Sequence, residues 1–168
     1  NFNFLLTGAP QEHDQNYGKK LSVYEKYGRK YNNNGGVLNG EYLSAVGNYY
    51  HKPVANLNWD FDITDKSSLS TVLYSSWGRG GSIGTVGSTK RTADGYVDYD
   101  AIIAANEAKA DGSATFALRN SVNNHEWYGL VSNFKTALTE NLSINTGLDL
   151  RTYKGLHFRQ ITNLMGAD

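Results

Sequence analysis

The chain has 168 residues, equal numbers of basic and acidic side chains and no cysteine. That length allows one domain with a sizeable core. Nothing in the charge balance points to a nucleic-acid partner, and the missing cysteine excludes disulfides, a thiol nucleophile and cysteine-based metal centres. Tyr (12), Gly (18) and numerous Asn suit strands and polar loops. No apolar run approaches the ~20 residues of a membrane helix. A strand-built membrane protein stays open, because barrel strands alternate and keep mean hydropathy low.

Asn1 already lies in an alternating stretch, with Phe2, Phe4 and Leu6 on one side of an extended chain. The chain therefore reads as an interior piece of a longer protein. A link of roughly 40 residues follows, longer than the usual connection in a compact domain. Within it, "KKLSVYEKYGRKYN" (19–32) is basic and tyrosine-rich. It reads as a solvated loop helix or, functionally, as a ligand- or partner-facing loop.

Residues 51–63 form the second alternating segment. Ala55, Leu57, Trp59, Phe61 and Ile63 share one face, and Asn56, Asn58, Asp60 and Asp62 the other. A five-residue loop, 64–68, leads to a third segment at 69–78, with Leu69, Thr71, Leu73 and Trp77 on one face. This loop predicts pairing of Ile63 with Leu69 and of Phe61 with Thr71. "WGRGGSIGTVG" (77–87) lacks the spacing of a phosphate loop and reads as a strand-to-loop transition. A second long link contains "DYDAIIAANEAKADG" (98–112), a short helix capped by Asp98 or Asp100 and closed near Gly112. It is expected to pack within its loop, or to act as a lid.

The fourth segment, 126–138, puts Tyr128, Leu130, Phe134 and Leu138 on one face. A three-residue turn at 139–141 leads to the fifth, which continues to Tyr153. Its apolar face carries Leu142, Ile144, Leu148 and Leu150; its polar face carries Ser143, Asn145, Asp149 and Arg151. Leu138 would then meet Leu142, and Leu130 would meet Leu150. The two hairpins read alike, "FDITDKSSLSTVL" and "KTALTENLSINTG".

Five alternating segments, tight turns at one end and long links at the other have the layout of an outer-membrane barrel. In that reading Leu57, Trp59, Phe61, Leu130, Phe134, Leu142, Ile144, Leu148 and Leu150 face lipid. Asn56, Asn58, Asp60, Asn145, Asp149 and Arg151 line a wet lumen, with Asp149 and Arg151 as a wall ion pair. Tyr50, Trp77, Trp127 and Tyr128 form an aromatic girdle. A soluble antiparallel sandwich takes the same alternation, its apolar face against a second sheet. Five strands cannot close a membrane barrel, which needs ~8 or more, so the membrane reading makes residues 1–168 part of a larger barrel.

Chemistry is absent from the pattern. His13, His51, His125 and His157 are far apart and form no metal face. The scattered carboxylates make no acid/base dyad, and there is no Ser-His-Asp arrangement. The expectation is a non-enzyme without a cofactor, with haem or metal capture by loop histidines as the minor alternative.

The strings "HEWYGLVSNF", "TENLSINTGLDLR" and "YKGLHFRQITNLMG" resemble the barrel of TonB-dependent outer-membrane receptors of Bacteroidetes-type bacteria. "GAPQEHDQ", "YEKYGRKYN", "YYHKPVANLNW" and "SSLSTVLYSSWGRGG" fit the same group, and residues 80–122 are the least familiar part. The resemblance implies a 22-stranded barrel around a plug and uptake driven through TonB, with neither the plug nor the TonB-contacting segment in these residues. It implies a bacterial outer-membrane location. Partners would be outer-membrane lipid, TonB through other parts of the protein, an extracellular solute (an iron chelate, a cobalamin-like cofactor, a glycan or a peptide) and a surface lipoprotein, with no nucleic acid. The readings held against it are a secreted β-sandwich glycan-binding module and a passive porin.

Overall fold

The computed structural model describes all residues, 1–168. The chain is mostly antiparallel strand with two short helices. In chain order the elements are β1 (Phe2–Thr7), β2 (Gln11–Asp14), α1 (Leu21–Tyr27), β3 (Gly35–Leu38), β4 (Glu41–Ser44) and β5 (Gly47–His51). Then come β6 (Val54–Thr64), β7 (Ser67–Gly87), α2 (Tyr99–Glu107), β8 (Phe116–Thr139) and β9 (Leu142–Asn163). Seven strands make one sheet in the order β1-β6-β7-β5-β2, with β8 on β7 and β9 on β8; β3 and β4 pair separately.

The two prolines mark breaks in this sheet. Pro10 lies between β1 and β2, and Pro53 between β5 and β6. Proline has no N–H to give a ladder. The Pro53 carbonyl keeps its part, accepting from the Trp77 N–H at 3.1 Å.

The β6–β7 turn is shorter than its spacing predicts. It consists of Asp65 and Lys66, with an irregularity between Asp62 and Thr64. Phe61 therefore faces Leu69, Trp59 faces Thr71 and Leu57 faces Leu73, a shift of two residues from the expected pairing. A two-residue shift leaves every side chain on its expected face, because the strand period is two. The β8–β9 turn likewise has two residues, Glu140 and Asn141, instead of three. Both turns share one device: Thr64 Oγ1 accepts from the Lys66 N–H at 3.2 Å, and Thr139 Oγ1 from the Asn141 N–H at 3.3 Å. The resemblance between the two hairpin sequences thus has a local hydrogen-bonding cause.

The strands exceed their predicted limits. β7 continues through the whole Gly-rich stretch to Gly87, which is strand and not loop. β8 starts ten residues earlier than expected, at Phe116, and β9 ends ten later, at Asn163. The first long link contains β2, α1, β3, β4 and most of β5.

Two compact units divide the chain. Unit 1 comprises residues 1–10, 50–79 and 123–156; unit 2 comprises 11–49, 80–122 and 157–168. All buried hydrophobic residues belong to unit 2. Ala45, Val97, Tyr99, Ile102, Phe116, Leu118 and Met165 form its core. Asp98 caps α2, its Oδ1 accepting from the Ala101 N–H at 3.0 Å, as one of the two expected caps. The buried Asn106 ties the core together. Its Nδ2 lies within hydrogen-bond reach of the carbonyls of Phe116 (3.0 Å), Leu164 (3.0 Å) and Met165 (2.9 Å), which share its two hydrogens, and its Oδ1 accepts from Thr115 N–H and Oγ1, both at 2.8 Å. Every polar atom of a buried amide is satisfied there, which removes the usual cost of burying one.

Candidate functional site

In unit 1 the sheet separates its side chains by face. On the apolar face Phe2 opposes Trp59, Phe4 opposes Leu57 and Leu6 opposes Ala55. The row continues into β7 through Leu73 and Leu69. Two hydroxyl pairs fix β7 against β8, Ser67 Oγ with Thr136 Oγ1 at 2.7 Å and Thr71 Oγ1 with Ser132 Oγ at 2.9 Å. They set Leu73 opposite Leu130. An open groove of about 650 Å³ is lined by Phe4, Leu57, Leu73, Leu130 and Leu150. The expected lipid-facing positions Leu142, Ile144, Leu148 and Leu150 are 54%, 44%, 52% and 55% exposed, and Trp59 and Phe61 are exposed as well. Leu57, Leu130 and Phe134, by contrast, are half-buried, Phe134 beside Ser132, Thr146, Gly147 and Leu148.

The opposite face carries Asn56, Asn58, Asp60 and Asp62 on β6, aligned with Tyr74, Val72, Ser70 and Ser68. Asn58 also faces Asn3 of β1. On β9 Arg151 Nε donates to Asp149 Oδ1 at 3.1 Å, and its second nitrogen to Oδ2, a bidentate pair. Asn145 lies exposed on the same strand. Ser76 Oγ is buried without a protein partner.

The four girdle aromatics divide between the faces. Trp77 donates from Nε1 to the Tyr128 hydroxyl at 2.7 Å, the rings meeting edge-on at 6.0 Å. Beside them Arg79 pairs with Glu126. Trp127 follows the other parity. It packs on Tyr153 at 4.4 Å, and His125 Nδ1 is hydrogen-bonded to the Tyr153 hydroxyl at 2.6 Å. The Tyr50 hydroxyl lies over Gly78, also beside His125. Gly129 leaves room for the Tyr74 ring, which a Cβ there would meet at 2.1 Å.

Unit 2 holds a half-open pocket that the sequence reading missed. It measures about 550 Å³ and lies among Lys30, the β3–β4 hairpin and residues 92–100. Gly36 and Val97 form a bridge at its base; a Cβ on Gly36 would sit 2.0 Å from the Val97 carbonyl oxygen, so only glycine fits. The Tyr42 ring lies against Gly35, and the Tyr96 ring meets Tyr31 edge-on at 5.1 Å. Tyr31 is itself buried and donates to the Asp94 carbonyl at 2.6 Å. Burial pushes the Tyr99 hydroxyl up to about 12, with smaller contributions from Tyr42 and Asp14. The overlooked signal was "VLNGEYL": Asn39-Gly40 with both φ angles positive (52° and 83°) makes the two-residue hairpin turn that dipeptide favours.

These features define an all-β antiparallel protein with one unpartnered apolar sheet face and one polar, aromatic-lined pocket. No family model, curated protein or solved structure matches the chain.

Proposed function

We propose that the chain is a stretch of the wall and extracellular loops of a larger outer-membrane β-barrel, a TonB-dependent receptor that takes up a scarce solute. The observation that carries the proposal is the exposed apolar face of unit 1. Only Ser76 and Gly78 are buried in that unit, so its leucine row lies against no second sheet. A soluble sandwich needs that row covered; acyl chains cover it in a barrel. The dimensions agree. From Lys66 in the turn to Trp77, about eleven residues at about 3.3 Å span about 36 Å, and a tilt of about 45° reduces this to about 26 Å. The apolar band of such barrels is about 25 Å tall. The Trp77–Tyr128 pair, apolar in body with one wet edge, marks the end of that band. The open edges of β1 and β9 pair with strands of the remaining barrel, since lipid leaves no water for them.

The three tryptophans supply the test. Forms of the parent barrel protein that keep only one of these three tryptophans at a time are reconstituted with lipids brominated along the acyl chain. Trp59 is quenched strongly, Trp77 is quenched by shallow bromines, and Trp127 is quenched little. Retention of the parent protein in buffer without detergent, with Trp59 unquenched, would sink the membrane reading and favour the secreted glycan-binding module. A plug domain of ~100–150 residues upstream in the parent separates receptor from passive porin.

A further inference from the structure

The unit 2 pocket has a chemistry of its own. Asp94, Asp98 and Asp100 line it, with Lys30 as the single cationic side chain of the lining, which is therefore net negative by two. None of the three carboxylates takes part in an ion pair. The nearby Arg91 donates to the carbonyls of Asn33 and Gly95 and brings a second positive charge to the rim, so the pocket and its rim together remain net negative by one. Two walls are tyrosine rings held from behind, Tyr42 by Gly35 and Tyr96 by Tyr31. Tyr42 is 54% exposed and Val37 59%, so apolar surface is available at the pocket. The volume suits a small ligand.

We infer that this pocket binds an organic cation, a guanidinium or primary ammonium on a short apolar stem, with the stem along Tyr42 and Val37 and the charge among Asp94, Asp98 and Asp100. An aromatic ring face attracts a cation through its quadrupole, and unpaired carboxylates supply the longer-range field. An anionic ligand would meet the same field as repulsion. A neutral polyol would find hydroxyls and carboxylates but leave the charge uncompensated. Asp98 and Asp100 also serve α2, one as its cap and one in its first turn. Their charge still reaches the pocket that both line. The inference stands apart from the transport reading, because every lining residue belongs to unit 2.

The test is titration calorimetry on the folded full chain with agmatine as the cation, maltose as the neutral polyol and glutarate as the anion. Agmatine binds and the other two do not. The exposed pair Asp94→Asn with Asp100→Asn weakens agmatine by about tenfold or more, the loss expected from two partly solvated charge contacts. Neither side chain caps a helix, and a melting curve verifies the fold of the variant. Should it fail to fold, the wild-type chain decides: added salt weakens agmatine binding if charge holds it. Absence of agmatine binding, maltose binding as tightly, or affinity indifferent to both salt and the substitutions overturns the inference.

Discussion

The two units are built from the same long strands but hold them by different means. Unit 2 encloses a core around Phe116, Ile102 and Met165, and a satisfied buried amide locks it. Unit 1 has cross-strand rows, hydroxyl pairs and aromatic contacts, yet buries nothing larger than Ser76 and Gly78. Burying an apolar side chain contributes about 1.5–3 kcal/mol. Unit 2 obtains that from its own residues, whereas unit 1 must obtain it from whatever covers Leu57, Leu73 and Leu150. Hydrophobic alternation therefore identifies a face that needs covering, and says nothing about the material that covers it.

The sharpest way to break this contrast is in the core of unit 2. Phe116→Ala should cost about 3–5 kcal/mol of unfolding free energy, equally in detergent and in lipid, read by denaturant titration. A cost that changes with the lipid would erase the distinction between the units. Next in size is Leu73→Arg on the apolar face, expected to cost about 2–4 kcal/mol in bilayers, where the site is near the midplane. The matched change Asn58→Arg on the opposite face should stay within about 0.5 kcal/mol. Equal effects for the two would remove the assignment of faces.

Alkaline pH probes the tyrosines of unit 2, where burial raises Tyr99 most and Tyr31 and Tyr42 as well. The Tyr99 hydroxyl is almost fully buried and titrates near 12 when folded, against an ordinary value of about 10. The folded state therefore favours the protonated form. The resulting stability is complete below about pH 10 and disappears as pH rises through about 12, a loss of roughly 2–3 kcal/mol. Tyr99→Phe should flatten that part of the stability profile; an unchanged slope would move the effect to another group. The smallest expected effect is a gain. Ser76→Ala removes a buried hydroxyl that has no protein partner and should stabilise unit 1 by up to about 1 kcal/mol. A loss would mean that the hydroxyl is hydrogen-bonded, for instance to ordered water.

Much of the site was within reach of local reasoning. The two faces of β6 and β9 follow from alternation alone, and so does the bidentate Asp149–Arg151 pair, two residues apart on one face. Parity also separates Trp127 from Tyr128, since neighbours in a strand point oppositely; grouping them in one girdle overlooked that rule. The Asn39-Gly40 turn was equally open to inspection and would have revealed a hairpin inside the first long link. Turn lengths were harder. Thr64 and Thr139 shorten both turns through a hydroxyl acceptor, and an irregularity after Asp62 absorbs the difference without changing any face.

By itself, the amino-acid sequence determined the central stretches of β1, β6, β7, β8 and β9, their two faces and the start of α2, because each depends on neighbours within a few residues. Tertiary structure alone decided the remainder. Asn106 reaches carbonyls at 116, 164 and 165, and the pocket joins Lys30 and Tyr42 to residues more than fifty positions further along. Such contacts come from closing long loops, and no local period encodes which distant partner satisfies a buried amide or faces an acidic cavity.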